Sequence, residues 1–340
     1  MKKGLLIFLL LPVLACNNNN TSEKKAAMYQ QTGTLIKYDE ALDSIISPDA
    51  KADIIATGYE WSEGPLWIEN QQTLLFSDVP TNTIYKWTEK EGASVYLQPS
   101  GYTGKSPSLC KEPGSNGLTL DPEGKLVLCQ HGDRQMGRMD APLDQPKAVY
   151  TALATHFQGK RFSSPNDCVF SPDGELFFTD PPYGLKTQDD TDSLKELPFN
   201  GVYRVKKNGE VSLVINSITR PNGLAFFPGT SKLLVACSDP DQPDWHLIDI
   251  VNDSMMAVSL FYSAKEERKT MKTGLPDGLK INQQGIVFAS GPGGIYIFNN
   301  AGKKLGLLQL DAPASNCALS TDEKTLYITN DMQVLRIKLK

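Results

Sequence analysis

Six polar residues recur along the chain at one position of a repeated phrase, and their side chains are of types that bind a hard cation. They are Glu63, Asn116, Asn166, Asn222, Asp277 and Asn316, at spacings of 53, 50, 56, 55 and 39 residues. Ca²⁺ takes about six to eight oxygen ligands from carboxylates, amide carbonyls and water. Two carboxylates offset the charge of such an ion, while amides add ligand atoms without adding repulsion. The set is a candidate metal site if the fold brings these residues together.

An ordinary structural role competes with this hypothesis. Asn or Asp beside Gly, after Pro or Ser, is a common turn pair because both residues hydrogen-bond to the nearby backbone. A turn alone, however, would accept Gly or Ser in several copies, and it does not require the carboxylate of Glu63. The pattern alone leaves the metal site and the turn as competing explanations.

The elements that must position these residues are short β-strands. Each repeat opens with a strand of about five residues, continues through a turn into a second apolar strand, and in most copies adds a third strand. A unit of about fifty residues built from antiparallel strands and repeated six times is typical of a β-propeller blade. We therefore predict an all-β, six-bladed β-propeller with a central metal site, in which the six residues surround the channel.

Closure of the ring and the positions of the long loops also follow from the repeat. The sixth copy is short, so a strand from within residues 30 to 60 is expected to complete it, and residues 52 to 60 (ADIIATGYE) are the candidate. Polar insertions at residues 98 to 115, 184 to 200 and 262 to 275 are expected to lie over one mouth of the ring. The predicted propeller spans residues 28–340.

The N-terminus is typical of an exported lipoprotein. Lys2 and Lys3 precede an apolar run that is too short for a permanent transmembrane helix, so residues 1–15 are predicted to be a signal peptide. The run ends in Val-Leu-Ala-Cys, which resembles the bacterial lipobox and predicts lipidation of Cys16; a plain secretory signal with a free Cys16 is the alternative. Residues 16–27 are polar and predicted to form a flexible tether. We expect a membrane-anchored protein facing the periplasm or the cell surface.

Composition and motifs exclude several classes of function. The net charge of −5 argues against a nucleic-acid partner and against electrostatic membrane binding, which leaves the lipid anchor as the membrane contact. The sequence has no Gly-x-Ser-x-Gly of a serine hydrolase, and neither a P-loop nor a dinucleotide fingerprint. Beyond Cys16 there are five cysteines, four of them in apolar strand-like runs, and these are expected to be buried thiols with at most two disulfides.

Five motifs resemble the SMP-30/gluconolactonase/luciferin-regenerating-enzyme family, in the same order along the chain. They are WSEGPLW (61–67), KRFSSPND (160–167), FTDPPYGL (178–185), RPNGLAF (220–226) and LPDGLKI (275–281). The resemblance covers essentially everything after residue 50. It implies a six-bladed propeller and a calcium- or zinc-dependent lactone hydrolase, with related phosphotriesterases on the same scaffold.

The resemblance also implies roles for individual residues. Glu63, Asn222 and Asp277 would be metal ligands, and Asn166 a fourth ligand or a contact to the substrate. Asp277 would also be the catalytic residue. The cofactor would be one divalent ion, with Ca²⁺ expected and Zn²⁺ or Mn²⁺ as alternatives.

Other residues receive weaker assignments. Arg161 lies near the family's substrate-binding arginine, and His131 is the best histidine candidate for a substrate contact, with a structural role at the end of its strand as the alternative. Asn116 and Asn316 are expected beside the channel without a ligand role, and Asp167 is expected to bind loop amides.

The predicted function is hydrolysis of sugar lactones. The metal would polarise the lactone carbonyl while water attacks with the help of Asp277, or Asp277 itself would attack as a nucleophile. Alternatives are a phosphotriesterase or another ester hydrolase on the same scaffold, and a non-catalytic carbohydrate-binding propeller. Because the channel residues all come from one chain, a monomer is expected.

Overall fold

The described part of the chain is built almost entirely from short β-strands. The computed structural model describes residues 29–252 and 255–340, so the predicted signal peptide, Cys16 and the tether lie outside the described residues. Helical structure in the described ranges consists of two 3₁₀ helices, Glu40–Ser44 and Glu69–Gln71, and one helical turn, α1, at Glu267–Thr270. None of these helices has the length and apolar character needed to cross a bilayer.

The strands follow one another in chain order with few long interruptions. The first fourteen are β1 Gln31–Thr32, β2 Thr34–Lys37, β3 Ala52–Thr57, β4 Ser62–Ile68, β5 Thr73–Asp78, β6 Thr83–Thr88, β7 Gly92–Leu97, β8 Ser115–Leu120, β9 Leu126–Gln130, β10 Gln135–Met139, β11 Tyr150–Ala154, β12 His156–Phe157, β13 Lys160–Arg161 and β14 Cys168–Phe170. The remaining fourteen are β15 Leu176–Asp180, β16 Gly201–Val205, β17 Val211–Ile215, β18 Pro221–Phe226, β19 Lys232–Asp239, β20 Gln242–Asn252, β21 Met255–Ser263, β22 Leu279–Ile281, β23 Val287–Gly291, β24 Gly294–Phe298, β25 Lys304–Gln309, β26 Asn316–Leu319, β27 Thr325–Asn330 and β28 Gln333–Lys338.

Six antiparallel sheets form the six blades, which confirms the predicted fold class. Blades 1 to 4 are the sheets β4–β7, β8–β11, β14–β17 and β18–β21, each with its strands in chain order. Blade 5 is β22–β25, and blade 6 is β26–β28 together with β3. The first strand of each blade lies innermost, so the repeated polar residues are brought to the channel. A separate two-stranded ribbon, β12–β13, lies between blades 2 and 3.

The N-terminal segment closes the ring. Strand β3 pairs antiparallel with β28, from Gln333 opposite Thr57 to Arg336 opposite Asp53. The predicted closing strand is thus confirmed. The structure adds two short strands that the sequence did not predict: β1 extends blade 6 beside β3, and β2 extends blade 5 beside β25. Strands of two and four residues are too short for a hydrophobic pattern, but they cover edges that would otherwise be exposed.

The hydrophobic core is divided into six clusters, one between each pair of neighbouring blades. Successive side chains of a strand point to opposite faces, so one strand supplies two clusters. In β5, Leu74 and Phe76 pack toward blade 6 while Leu75 packs toward blade 2. Burial on both faces explains why the second strand of each repeat is a continuous apolar run.

The cysteines of the described chain contribute to this core as thiols. Cys129, Cys168, Cys237 and Cys317 are buried in inter-blade clusters, Cys110 is partly exposed, and all five are free. The prediction of buried thiols is therefore confirmed.

Candidate functional site

A cavity of about 410 Å³ opens at one mouth of the central channel. Five of the six repeated polar residues line it, and we call these five the cavity floor: Glu63, Asn116, Asn166, Asn222 and Asp277. The volume falls within the range of small-molecule sites, about 300 to 1,000 Å³. Residues that lie about fifty positions apart in sequence therefore meet in a single site.

Close packing of the innermost strands places these residues and explains the glycines that follow them. The backbone amide of Gly223 donates to the carbonyl of Asp277 in the next blade, at 3.2 Å. A Cβ atom at Gly223 would lie 2.2 Å from that oxygen, and one at Gly278 would lie 1.9 Å from Cγ of Asn316. Such contacts leave no room for a side chain. The polar-residue-glycine pairs are thus required by contact between blades, which the turn hypothesis did not anticipate.

The segment that leads to Asn166 is held by a buried carboxylate. Asp180, at the end of β15, accepts hydrogen bonds from the backbone amides of Ser163 (2.9 Å) and Ser164 (2.7 Å). Burial raises the pKa of Asp180 to about 6, against the lowering effect of the two amides. The backbone amide of Asn166 in turn donates to the carbonyl of Thr179 at 2.8 Å. These bonds fix the position of Asn166 in the cavity floor.

Two carboxylates of the cavity floor lie close enough to repel each other. Burial raises the pKa of Glu63 to about 8, although its Oε2 accepts a hydrogen bond from the amide of Gly64 at 2.8 Å. The pKa of Asp277 is raised well above its usual range by desolvation and by the charges of Glu63, Asp167 and Glu112. Asp277 is partly exposed to the cavity, whereas Glu63 is buried. A positive charge placed between them would remove the repulsion.

Two amides of the cavity floor have an oxygen without a hydrogen-bond partner. In the described residues, Oδ1 of Asn116 and Oδ1 of Asn222 are buried and unpartnered. The Nδ2 atom of Asn222 donates to Oγ of Ser238 at 2.9 Å, which fixes the orientation of the amide. A buried acceptor without a donor is costly unless a ligand completes it. Asn116, to which the sequence assigned no ligand role, therefore joins the candidate ligands.

The donor set fits a hard cation. Glu63 and Asp277 supply charge, and the amide oxygens of Asn116, Asn166 and Asn222 supply neutral donors, so every donor in the cavity floor is an oxygen atom. In residues 29–252 and 255–340 no group of three or more His, Cys, Asp or Glu side chains has metal-binding geometry. Carboxylate and carbonyl oxygens of the kind that line the cavity floor are the ligands that hard cations prefer.

The sixth repeated residue has a different environment. Asn316, Asp167 and Lys280 do not line the cavity but lie beside it, and we call them the inner polar layer. Nδ2 of Asn316 donates to Oδ2 of Asp167 at 3.4 Å, and Nζ of Lys280 donates to Oδ1 of Asn316 at 3.4 Å. Oδ1 of Asp167 accepts from the amide of Cys168 at 2.8 Å, in line with the predicted amide contact. The inner polar layer thus contains its own cation and no unpartnered amide.

The structure does not bring Arg161 or His131 to the cavity wall. Arg161 lies in the ribbon β12–β13, where its Nη2 donates to the carbonyl of Asp133 at 2.6 Å. His131 is buried beneath Gly184, whose Cβ position would lie 2.7 Å from Cγ of His131. Burial lowers the pKa of His131 to about 3, so the ring is neutral. Both residues were predicted as candidates for contact with the substrate; in this structure neither lines the cavity, and each packs against protein.

The wall of the cavity comes mainly from the three predicted insertions. Trp61 and Tyr183 supply aromatic surface, and the wall also contains four long polar or charged side chains: Glu112, Gln188, Arg268 and Lys272. The sequence placed the insertions over the mouth of the ring but did not identify which of their residues face the cavity. Loop residues have no periodicity from which their direction can be deduced.

The fold and the cavity define a six-bladed propeller with a polar, oxygen-lined site in its central channel. The chain belongs to the SMP-30/gluconolactonase/LRE-like family, whose sequence pattern matches residues 61–331. This membership confirms the resemblance seen in the five motifs.

Individual relatives agree with the family assignment. A gluconolactonase from Zymomonas mobilis is 39% identical over 313 residues, which cover 91% of this chain and 86% of the relative. The structure of a gluconolactonase from Xanthomonas campestris superposes with a TM-score of 0.77 at 27% identity, covering 92% of this chain and 98% of that one. A calcium-binding regucalcin from Agrobacterium tumefaciens shares the fold, with a TM-score of 0.62 at 14% identity over 84% of this chain and 94% of its own.

Proposed function

We propose that this protein is a metal-dependent hydrolase that opens sugar lactones. The observation that carries the proposal is the cavity floor, where two carboxylates and two unpartnered amide oxygens line one cavity of the channel. The gluconolactonase relatives support the choice of a lactone as substrate. Ca²⁺ is the proposed ion because all of the donors are oxygen atoms.

We assign two roles to the residues of the cavity floor: all of them bind the metal ion, and one of them also takes part in the reaction. Glu63, Asn116, Asn166 and Asn222 would hold the ion together with Asp277, and Ser238 would keep the amide of Asn222 in its orientation. When bound, the ion supplies positive charge that polarises the lactone carbonyl and stabilises the oxyanion that develops there.

Asp277 is the proposed catalytic residue because its carboxylate is the more exposed of the two to the cavity. It takes the proton of the water that adds to the carbonyl carbon, the ring C–O bond breaks, and the proton passes to the departing ring oxygen. The product is an open-chain hydroxy acid that ionises in solution. If Asp277 attacked the carbonyl directly and water then opened the mixed anhydride at the Asp277 carboxyl carbon, a single turnover in ¹⁸O-labelled water would place the label in that carboxylate, which mass spectrometry detects.

The experiment that tests the function measures proton release from aldonolactones by purified protein. The protein is stripped of metal with a chelator and then resupplied with Ca²⁺, Zn²⁺ or Mn²⁺. We expect activity to return with metal and most strongly with Ca²⁺. Metal-independent activity would contradict the proposed role of the cavity floor.

Two other outcomes would redirect the assignment. Hydrolysis of a phosphotriester without hydrolysis of any lactone would favour the phosphotriesterase alternative; a diisopropyl-fluorophosphatase from Loligo vulgaris is 28% identical over 151 residues, which cover 42% of this chain and 47% of that relative. Binding of sugars without turnover of either substrate class would favour a carbohydrate-binding propeller.

We further propose that Cys16 carries a lipid anchor, so that the reaction takes place outside the cytoplasm. The support is the lipobox-like sequence that ends in Cys16 after an apolar run. In cells that express the full chain, Cys16→Ser should move the protein from the membrane fraction to the soluble fraction. Equal membrane recovery of both proteins would contradict the anchor.

A further inference from the structure

Two basic residues of the third insertion, Arg268 and Lys272, line the cavity. Nη1 of Arg268 donates to the backbone carbonyl of Lys272 at 2.5 Å, and Nζ of Lys272 donates to the backbone carbonyl of Arg268 at 3.3 Å. These two bonds hold two positive charges side by side, against their mutual repulsion. An anion bound beside both would relieve this repulsion.

No carboxylate in the described chain forms an ion pair with Arg268 or Lys272. The two glutamates of the same insertion are committed to other cations, Glu266 to Lys269 at 2.6 Å and Glu267 to Lys304 at 2.5 Å. Glu112, on the cavity wall, accepts a hydrogen bond from Nε2 of Gln188 at 2.8 Å. The positive charge at this side of the cavity is therefore not paired with an acidic side chain of the described residues.

The basic pair is also held in place before any ligand binds. The amide of Arg268 donates to the carbonyl of Ala264 at 2.9 Å, and the amide of Gly293 donates to the carbonyl of Thr273 at 2.8 Å, so the segment is tied to the protein at both ends. Between these ties, Met271 packs against the core between blades 4 and 5. A binding group that is ordered in advance loses little conformational entropy when the ligand arrives.

The cavity thus has two regions of different chemistry: a floor of oxygen donors suited to a cation and a lactone carbonyl, and a basic pair at the wall. We propose that the substrates are lactones whose ring carries an anionic substituent, a carboxylate or a phosphate, bound by Arg268 and Lys272. The inference rests on the proposed lactone hydrolase and specifies its substrate class. The cavity of about 410 Å³ has room for a six-carbon lactone with such a substituent.

The test compares matched substrates that differ only in the anionic group. One pair is D-glucono-1,5-lactone and its 6-phosphate, and the other is D-galactono-1,4-lactone and D-galactaro-1,4-lactone, which carries a carboxylate. We expect the Ca²⁺-loaded protein to have the higher kcat/KM for the anionic member of at least one pair, and the preferred pair identifies the substituent. In the double variant Arg268→Gln/Lys272→Gln, the ratio of kcat/KM for that member to kcat/KM for its neutral partner should fall about tenfold, as for loss of a charge-assisted hydrogen bond.

The control is Lys269→Gln, which removes one positive charge from the same insertion. Lys269 is exposed and pairs with Glu266 away from the cavity wall, so the preference should be unchanged. If the double variant keeps the wild-type ratio of anionic to neutral kcat/KM while it opens the neutral lactone normally, the inference is overturned and the lactone hydrolase stands. If the metal-loaded wild-type protein opens neither member of either pair, both the inference and the proposed lactone hydrolase fail.

Discussion

The cavity floor and Asn316 of the inner polar layer come from the same repeated sequence position, yet their hydrogen bonding differs. In the cavity floor, Asn116 and Asn222 have buried oxygens without partners, and Glu63 and Asp277 repel each other. In the inner polar layer, Asn316 binds both Asp167 and Lys280, so charge and hydrogen bonds are complete within the protein. At this repeated position, therefore, the amide oxygens of Asn116 and Asn222 are open to a ligand, whereas the hydrogen bonds of Asn316 are completed by the protein.

The largest expected effect concerns the reacting group of the cavity floor. Asp277→Asn should lower kcat for lactone hydrolysis about a thousandfold, because a base at the reaction centre contributes about 10²- to 10⁴-fold. The metal-free variant should unfold no earlier than wild type, since a repelling charge is removed. Steady-state kinetics and thermal melts measure the two effects. Asp311→Asn, at an exposed carboxylate that does not line the cavity, is the control and should retain activity.

The next prediction removes the cation of the inner polar layer. Lys280→Met should lower the free energy of unfolding by about 3 kcal/mol, because the buried carboxylate of Asp167 then has no compensating positive charge beside it. Adding Asp167→Asn should restore much of that loss. Urea denaturation of the two single variants and the double variant forms a double-mutant cycle. A double variant no more stable than Lys280→Met would show that Lys280 does not compensate Asp167.

The third prediction compares the two layers through one Asn→Ala substitution in each. Asn116→Ala should reduce the Ca²⁺-induced rise in Tm and leave the stability of the metal-free protein unchanged, since the lost oxygen had no partner. Asn316→Ala should lower stability by about 1 to 2 kcal/mol, because it leaves Asp167 and Lys280 with unmet hydrogen bonds, and should keep the Ca²⁺ response. Equal effects of both variants on Tm with and without Ca²⁺ would remove the distinction between the layers.

The smallest expected effect is a pH dependence from Asp180, a buried carboxylate compensated by backbone amides. Its folded-state pKa of about 6 lies above the ordinary value of 3.8, so the folded protein binds the proton more tightly than the unfolded chain. The stability from this proton is fully present below pH 3.8 and is lost as the pH rises through about 6, with a slope of at most about 1.4 kcal/mol per pH unit. Melts of wild type and Asp180→Asn between pH 4 and 7 test this: the variant should show the shallower decline, and parallel curves would contradict the shift.

Much of the fold could be predicted because each blade of a propeller repeats the same pattern of strands and turns in the sequence. The apolar run of each second strand, such as LVLCQ at residues 126–130, indicates a strand that is buried on both faces. The shortness of the sixth repeat required a closing strand, and β3 fulfils that role. The extra strands β1 and β2 could not be predicted, since they are defined by their pairing partners rather than by their own pattern.

The candidate site could be predicted in part. Four residues were predicted as site residues from their common position in the repeat, and the structure brings all four to one cavity: Glu63, Asn166, Asn222 and Asp277. The exclusion of His131 from the cavity wall depends on Gly184, from a distant loop, which packs over it. The metal-ligand and catalytic roles of these four remain proposals until the kinetic and thermal experiments are done.

The sequence by itself determined the six-fold repeat, the polar residue that opens each innermost strand, and the three insertions over one mouth of the ring. These are local properties, fixed by the period of two in a strand and by the spacing of the turns. Only the tertiary structure decided that Asn116 faces the cavity while Asn316 binds Asp167, and that Arg268 and Lys272 lie together without an acidic partner among the described residues. The physical reason is that the environment of a side chain depends on the blade or loop packed against it, and that neighbour lies far away in the chain.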